Sequence, residues 1–128
     1  MNLVDSSGWI EYFAKGENAR HFLSVIRAKE ELLVSTVNIY EVFKKIYREF
    51  GETEALRAVS YMRQARVVAV DDKIAVVAAK LSAELKLPMA DSLILATARL
   101  HKAVLWTQDA HFQGLPNVRY FPKTYGSN

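Results

Sequence analysis

The sequence opens with Asn2-Leu3-Val4-Asp5-Ser6-Ser7-Gly8-Trp9, and this stretch contains the first strand-to-helix unit of the chain. Asn2–Val4 has the length and apolar character of a short buried strand, and Asp5 ends it. A helix is predicted to follow over Gly8–Ala14. Because the strand leads directly into a helix, the opening of the chain predicts an α/β fold.

The same alternation continues along the chain. Further helices are predicted at Asn18–Ala28, Val37–Phe50, Glu52–Gln64, the apolar stripe from Ile74 to Leu85, and Ala90–His101. Further strands are predicted at Leu32–Val34, Arg66–Val70 and Ala103–Trp106, with Val118–Phe121 as a fifth strand at an edge. This order predicts a single α/β domain over residues 1–128. Its central sheet has four to five strands, is mostly parallel and twisted, and carries helices on both faces.

The composition sets limits on function. The chain has 17 Lys plus Arg against 14 Asp plus Glu, a net charge of +3, which permits a polyanionic partner but equally fits an ordinary surface. It has no cysteine, which excludes disulfides and zinc–thiolate sites and favours a cytoplasmic location. Asp5 and Glu11 interrupt any signal-peptide pattern, and no apolar run reaches the ~18 residues of a membrane helix.

Four acidic residues are candidates for a common site. Asp5 ends the first strand, and Asp109 follows the fourth within the turn Thr107-Gln108-Asp109. Asp91 lies one position inside a predicted buried helix, and Glu41 lies in the first turns of the helix after the second strand. Ligands of open parallel sheets bind beyond the carboxyl ends of the strands. We therefore expect all four carboxylates at the same end of the sheet.

Each acid also has a structural alternative when it is considered singly. Asp5 could cap the helix that begins near Gly8, and Asp91 could simply favour the positive end of its helix dipole. Glu41 could pair with Lys45 four residues further along, and Asp109 could be a turn residue.

The four acids together point to a bound cation. The segment from Met89 to Ala96 is apolar around Asp91, and a carboxylate there must be paired, hydrogen-bonded or metal-bound. Clustered carboxylates repel one another, which raises some of their pKa values unless a cation neutralises them. Mg²⁺ and Mn²⁺ prefer oxygen ligands, so either ion suits such a cluster.

Four segments resemble the acidic motifs of PIN domains in their order and spacing. They are Val4-Asp5-Ser6-Ser7-Gly8-Trp9-Ile10-Glu11, Ile39-Tyr40-Glu41-Val42, Ala90-Asp91-Ser92-Leu93-Ile94-Leu95-Ala96 and Trp106-Thr107-Gln108-Asp109-Ala110-His111-Phe112. Within that family, the chain is most similar to the VapC-type toxins of toxin–antitoxin operons, which are single PIN domains of this length. His111 is a departure, because many relatives carry a further acid near this position.

The resemblance implies a Mg²⁺- or Mn²⁺-dependent endoribonuclease that hydrolyses RNA phosphodiester bonds and leaves a 5′-phosphate and a 3′-hydroxyl. It implies Asp5, Glu41, Asp91 and Asp109 as the catalytic residues, with Asp5, Asp91 and Asp109 as metal ligands. It also implies a homodimer that binds a VapB-type antitoxin. The alternative is a non-catalytic PIN module that binds RNA or protein, and the four retained acids argue against it.

Residues around the acids complete the predicted site. Ser6 and Thr107 could hydrogen-bond a carboxylate or a phosphate, although capping and turn formation are the simpler roles for both. His111 could contact phosphate or metal, with plain hydrogen bonding as the simpler role. RNA contacts are expected from Lys44, Lys45, Arg48 and Arg99, which any solvated helix surface could also carry. A protein interface is expected at the aromatic residues Tyr40, Phe43, Tyr47 and Phe50.

Overall fold

A five-stranded parallel sheet forms the centre of the molecule, whose computed structural model describes residues 1–124. The strands are β1 (Asn2–Val4), β2 (Leu32–Ser35), β3 (Arg66–Val68), β4 (Val104–Thr107) and β5 (Val118–Tyr120). Their order across the sheet is β3-β2-β1-β4-β5, and each neighbouring pair is parallel. The predicted α/β fold with a parallel sheet is thereby confirmed.

Within the described residues, six α-helices connect and cover these strands. They are α1 (Ser6–Ala14), α2 (Ala19–Arg27), α3 (Thr36–Phe50), α4 (Glu52–Met62), α5 (Asp72–Leu85) and α6 (Met89–Leu100). Two single 3₁₀ turns, Lys29–Glu31 and Ala110–Phe112, lie before β2 and after β4. Within residues 1–124, no helix combines the length and apolar character that crossing a membrane requires.

Alternate residues of each buried strand contribute to two separate cores. Leu3 and Leu105 pack with α5 and α6 on one face, whereas Val4 and Val34 pack with α1 to α4 on the other. Successive side chains of a strand point to opposite faces, so a sheet that is buried on both faces needs apolar residues at consecutive positions. The predicted helices on both faces are thus observed.

Local sequence explains where two of the helices begin. The Ser35 hydroxyl accepts a hydrogen bond from the Val37 N–H (3.0 Å), and Asn38 Oδ1 accepts one from the Ser35 N–H (2.9 Å), which together cap α3. Asp71 caps α5 by accepting from the Ile74 N–H (2.9 Å). These caps fix the entry of both helices at the carboxyl ends of β2 and β3.

Several predicted element boundaries differ from the observed ones by one or two residues. Helix α1 begins at Ser6 instead of Gly8, and β4 extends to Thr107 instead of ending at Trp106. Strand β3 ends at Val68 instead of Val70, because its partner strand β2 ends at Ser35, which pairs with Val68, and the chain enters α3 at Thr36. The single domain predicted over 1–128 includes four residues beyond those described and stays a prediction.

Candidate functional site

The candidate site lies at the carboxyl ends of β1 and β4, the two central strands of the sheet. The chain leaves β1 toward β2 on one side, while β4 lies on the other side of β1, so a crevice opens where the winding reverses. A cavity of about 650 Å³ occupies this position. Its polar lining includes the four predicted acids and four basic residues: Asp5, Glu41, Asp91, Asp109, Lys44, Lys45, Arg48 and Lys123.

Asp5 lies at the bottom of this cavity and is only 3% exposed. Its Oδ2 accepts hydrogen bonds from the hydroxyls of Ser7 (2.7 Å) and Thr107 (2.9 Å). Although Asp5 occupies the N-cap position of α1, its side chain makes no capping hydrogen bond. The pKa of Asp5 is raised to about 6, mainly by burial and to a smaller extent by the charges of Asp109 and Glu41, against the two hydrogen bonds. The structure thus gives Asp5 a place in the cavity instead of the capping role.

Glu41 reaches the same cavity from α3. It accepts a hydrogen bond from the Ser6 hydroxyl (2.7 Å), and Ser6 Oγ in turn accepts one from Asn38 Nδ2 (3.0 Å). The alternative ion pair between Glu41 and Lys45 does not form, since Lys45 Nζ lies 2.8 Å from a carboxylate oxygen of Glu49. The same Asn38 that caps α3 therefore also positions Ser6, which orients the Glu41 carboxylate.

Asp91, Asp109 and His111 form the third part of the site. The His111 Nδ1 lies 2.8 Å from Asp91 Oδ2 and 3.1 Å from Asp109 Oδ1. The Asp109 Oδ1 also accepts from the His111 backbone N–H (2.9 Å), which caps the Ala110–Phe112 turn. The Thr107 hydroxyl accepts from the Asp109 N–H (2.9 Å) while it donates to Asp5. One hydroxyl thus connects the acids at the ends of β1 and β4.

The carboxylates influence one another electrostatically. The pKa of Asp91 is raised to about 7, mainly by burial and then by the charges of Asp109 and Asp5, against the hydrogen bond from His111. The carboxylate of Asp109 is in turn the main cause of a raised pKa at His111. Bringing these acids together therefore costs free energy, which a bound cation would offset.

Comparison with known proteins identifies the family. The PIN domain family model matches the chain over residues 3–117. The chain belongs to the PIN domain family. None of the curated proteins matches this PIN domain in sequence.

Solved structures resemble the PIN domain over nearly its whole length. A toxin–antitoxin complex from Klebsiella pneumoniae is 26% identical and covers 96% of this chain and 100% of that chain, with a TM-score of 0.81. DNA-bound VapBC from Salmonella typhimurium is 17% identical, and the match covers 95% of this chain and 98% of that chain, with a TM-score of 0.73. VapC20 from Mycobacterium tuberculosis, a sarcin-ricin loop cleaving toxin, is also 17% identical; the match covers 81% of this chain and 85% of that chain, with a TM-score of 0.67. The resemblance to VapC toxins that the sequence indicated is confirmed. At 17% identity, the similarity to the Salmonella typhimurium and Mycobacterium tuberculosis structures shows a common fold.

The donors in the cavity of this PIN domain suit a divalent metal ion, the cofactor of PIN-domain nucleases. One ligand atom each of Asp91, Asp109 and His111 lies within 4.8 Å of the other two. The set is dominated by carboxylate oxygens, which hard cations such as Mg²⁺ and Mn²⁺ prefer. The raised pKa values of Asp5 and Asp91 add an electrostatic reason, because a cation removes the repulsion that causes part of each rise.

The predicted basic residues divide into two groups. Lys44, Lys45 and Arg48 line the acidic cavity, as expected for residues that follow Glu41 on α3. Arg99 lies near the other end of α6 from Asp91 and lines a separate cavity of about 240 Å³. The structure therefore does not bring Arg99 together with the acids.

Sequence reasoning missed several residues of this site. Ser7 donates to Asp5, and Gln108 donates to Ser7 through its backbone N–H (3.2 Å). The Gln108 side chain accepts from Asn18 Nδ2 (2.8 Å), which also donates to the Pro122 carbonyl (2.9 Å) and holds the segment that carries Lys123. The Ser-x-x-Asn spacing of a capping box at Ser35 was the one available signal for Asn38.

Proposed function

We propose that this PIN domain is a Mg²⁺- or Mn²⁺-dependent endoribonuclease and the toxin of a VapBC-type toxin–antitoxin pair. The convergence of Asp5, Glu41, Asp91 and Asp109 on one cavity supports this proposal most directly. These acids come from four segments that lie far apart in sequence, and the fold brings all four to the lining of one cavity. Their mutual repulsion has a cost that a metal-dependent activity would explain.

In the proposed mechanism, Asp5, Asp91 and Asp109 hold the metal ion. When bound, the ion lowers the pKa of water and offsets negative charge that develops on the scissile phosphate. Glu41 is a further ligand or the group that orients the attacking water. The Ser6 hydroxyl fixes Glu41, and the Thr107 hydroxyl fixes Asp5, so neither carboxylate can rotate freely.

Basic side chains at the rim of the cavity provide the contacts for an RNA backbone. Lys44, Arg48 and Lys123 lie beside the acids, where they can neutralise phosphates on either side of the cleaved bond. Lys45 contributes less, because Glu49 already neutralises it. Arg99 would contact only RNA that extends beyond this cavity.

Two other surfaces support the proposed partners. An apolar groove of about 980 Å³, lined by residues that include Phe13, Ile46, Phe50 and Tyr61, suits an apolar segment of a VapB-type antitoxin. Toxin–antitoxin complexes among the similar structures support this partner. Tyr40 and Tyr47 are 64% and 52% exposed, as expected if an aromatic surface of α3 contributes to a homodimer. An RNA substrate would place the activity in the cytoplasm.

The test is cleavage of a panel of structured and single-stranded RNAs by the purified protein, with Mn²⁺, Mg²⁺ or chelator. Wild type is compared with Asp91→Asn and with Asp72→Asn, a matched exposed acid in the first turn of α5. Metal-dependent cleavage that only Asp91→Asn abolishes is the expected result. Equal cleavage by all three proteins would indicate a contaminant. Metal binding without any cleavage would support the non-catalytic module instead.

A further inference from the structure

His111 occupies a position that is unusual for a surface histidine. Its ring nitrogen Nδ1 faces two carboxylates, 2.8 Å from Asp91 Oδ2 and 3.1 Å from Asp109 Oδ1, although the side chain is 56% exposed. The other ring nitrogen, Nε2, needs no partner within the protein, because the exposed side chain lets water accept its hydrogen. Without a cation, Nδ1 carries a hydrogen and donates it to these carboxylates; with the hydrogen on the other ring nitrogen instead, the Nδ1 electron pair would point to the space between Asp91 and Asp109.

These distances match the edges of a metal coordination sphere. An octahedral ion with bonds of about 2.1 Å places neighbouring ligand atoms about 3.0 Å apart. The two separations of 2.8 and 3.1 Å from Nδ1, which in the metal-free site are hydrogen-bond lengths, also agree with this edge length, so an ion could replace the hydrogen without moving the ring far. One ligand atom of each of the three residues lies within 4.8 Å of the others, so one ion can contact all three.

The backbone holds the His111 ring in this place. The residue belongs to the Ala110–Phe112 turn, whose Phe112 side chain is completely buried in the core between the sheet and α6. Asp109 Oδ1 accepts the His111 backbone N–H (2.9 Å) at the start of the same turn. Because Asp109 and Phe112 hold the backbone on both sides of His111, the imidazole does not need a large rearrangement to approach an ion.

We propose that His111 is a direct ligand of the metal ion that Asp91 and Asp109 bind, and that its nitrogen makes the site prefer Mn²⁺ over Mg²⁺. This inference rests on the proposed metal-dependent function and adds a ligand to the three carboxylates assigned there. Both ions favour carboxylate oxygen, but Mg²⁺ is the stricter of the two, whereas Mn²⁺, as a first-row transition ion, accepts one imidazole nitrogen among oxygen ligands more readily. Aspartate at this position would give the site oxygen donors throughout.

The first experiment measures binding of Mn²⁺ and of Mg²⁺ to the intact protein by calorimetry at pH 8. The variants are His111→Ala, His111→Asp and, as a matched control at the far end of α6, His101→Ala. We expect His111→Ala to weaken Mn²⁺ binding by at least about tenfold, since loss of groups that merely orient ligands costs that much. Mg²⁺ binding should weaken less. His111→Asp should shift the ratio of the two affinities toward Mg²⁺, and the control should change neither.

The second experiment detects the nitrogen directly by pulsed electron paramagnetic resonance of bound Mn²⁺. Wild type and His101→Ala should show ¹⁴N modulation from a coordinated imidazole, which both His111 variants should lack. Tight Mn²⁺ binding without ¹⁴N modulation, or equal loss of both ions in His111→Ala, would overturn the inference. In that case RNA cleavage could still establish the proposed function. Conversely, ¹⁴N modulation in a protein that cleaves no RNA would support His111 as a metal ligand and would contradict the proposed nuclease activity.

Discussion

Replacing Asp5 with asparagine is expected to make the metal-free protein more stable at pH 8, even though the variant should lose its activity. The Asp5 carboxylate is almost completely buried, and burial is the main reason why its pKa rises from 3.8 to about 6. The ionised side chain therefore opposes folding. Asparagine keeps an oxygen that can accept the hydrogen bonds from Ser7 and Thr107 but removes the charge.

The size and pH dependence of this gain follow from the pKa values. Below pH 3.8, Asp5 is protonated in both the folded and the unfolded chain, so its charge has no effect on stability. The penalty grows as pH rises from 3.8 to about 6 and is then constant. At about 1.4 kcal/mol per pKa unit, it reaches at most about 3 kcal/mol. Weaker hydrogen bonds to the neutral amide reduce the expected gain to about 1–3 kcal/mol.

Urea denaturation in the presence of chelator measures the difference at pH 8 and at pH 4. We expect Asp5→Asn to exceed wild type in unfolding free energy at pH 8 and to approach it at pH 4. The melting temperature should rise by roughly 4–12 °C at pH 8. Asp72→Asn, at an exposed position, is the control and should change little. An Asp5→Asn protein that is equally stable or less stable than wild type at pH 8 would refute the electrostatic reasoning.

Three further outcomes are expected. Because the pKa of Asp91 is raised to about 7, metal affinity should increase from pH 6 to pH 8 with release of protons, which calorimetry in buffers of different ionisation enthalpy measures. Gly8→Ala should destabilise the fold by about 1–3 kcal/mol in urea denaturation, because a Cβ there would lie 2.7 Å from Val4 Cγ1. Lys44→Ala should weaken RNA binding and lower its salt dependence by about one counterion, whereas Arg99→Ala should leave both nearly unchanged; titrations at several salt concentrations distinguish the two.

Much of the fold could be predicted because the decisive signals are local. Short apolar runs and helical stripes identify the same five strands and six α-helices that the structure contains within residues 1–124. Boundaries were less accurate where a neighbouring strand decides them. Strand β3 ends at Val68 because its partner β2 ends at Ser35, and no local pattern within residues 66–70 reports that limit.

The candidate site was predictable at the acids and less so around them. Topology alone brings Asp5 and Asp109 together, because the strands that precede them are neighbours in the sheet. The roles of Asn38 and Ser7 depend on hydrogen bonds between α1, α3 and β4, which only the packed helices bring into register. Arg99 shows the converse error: it follows Asp91 on one helix, but the length of α6 carries it to the other end.

The pairing of β1 with β4 also determines when the site can exist during synthesis. Leu3 pairs with Leu105, so the two central strands are about a hundred residues apart in the chain. A nascent chain that has emerged as far as Gly51 already contains Asp5 and Glu41, but it lacks the strand that completes the sheet beside them. Such long-range parallel pairing forms late, because the intervening chain must first be available. The ribosome that makes this protein must therefore release residue 109 before the four carboxylates can come together.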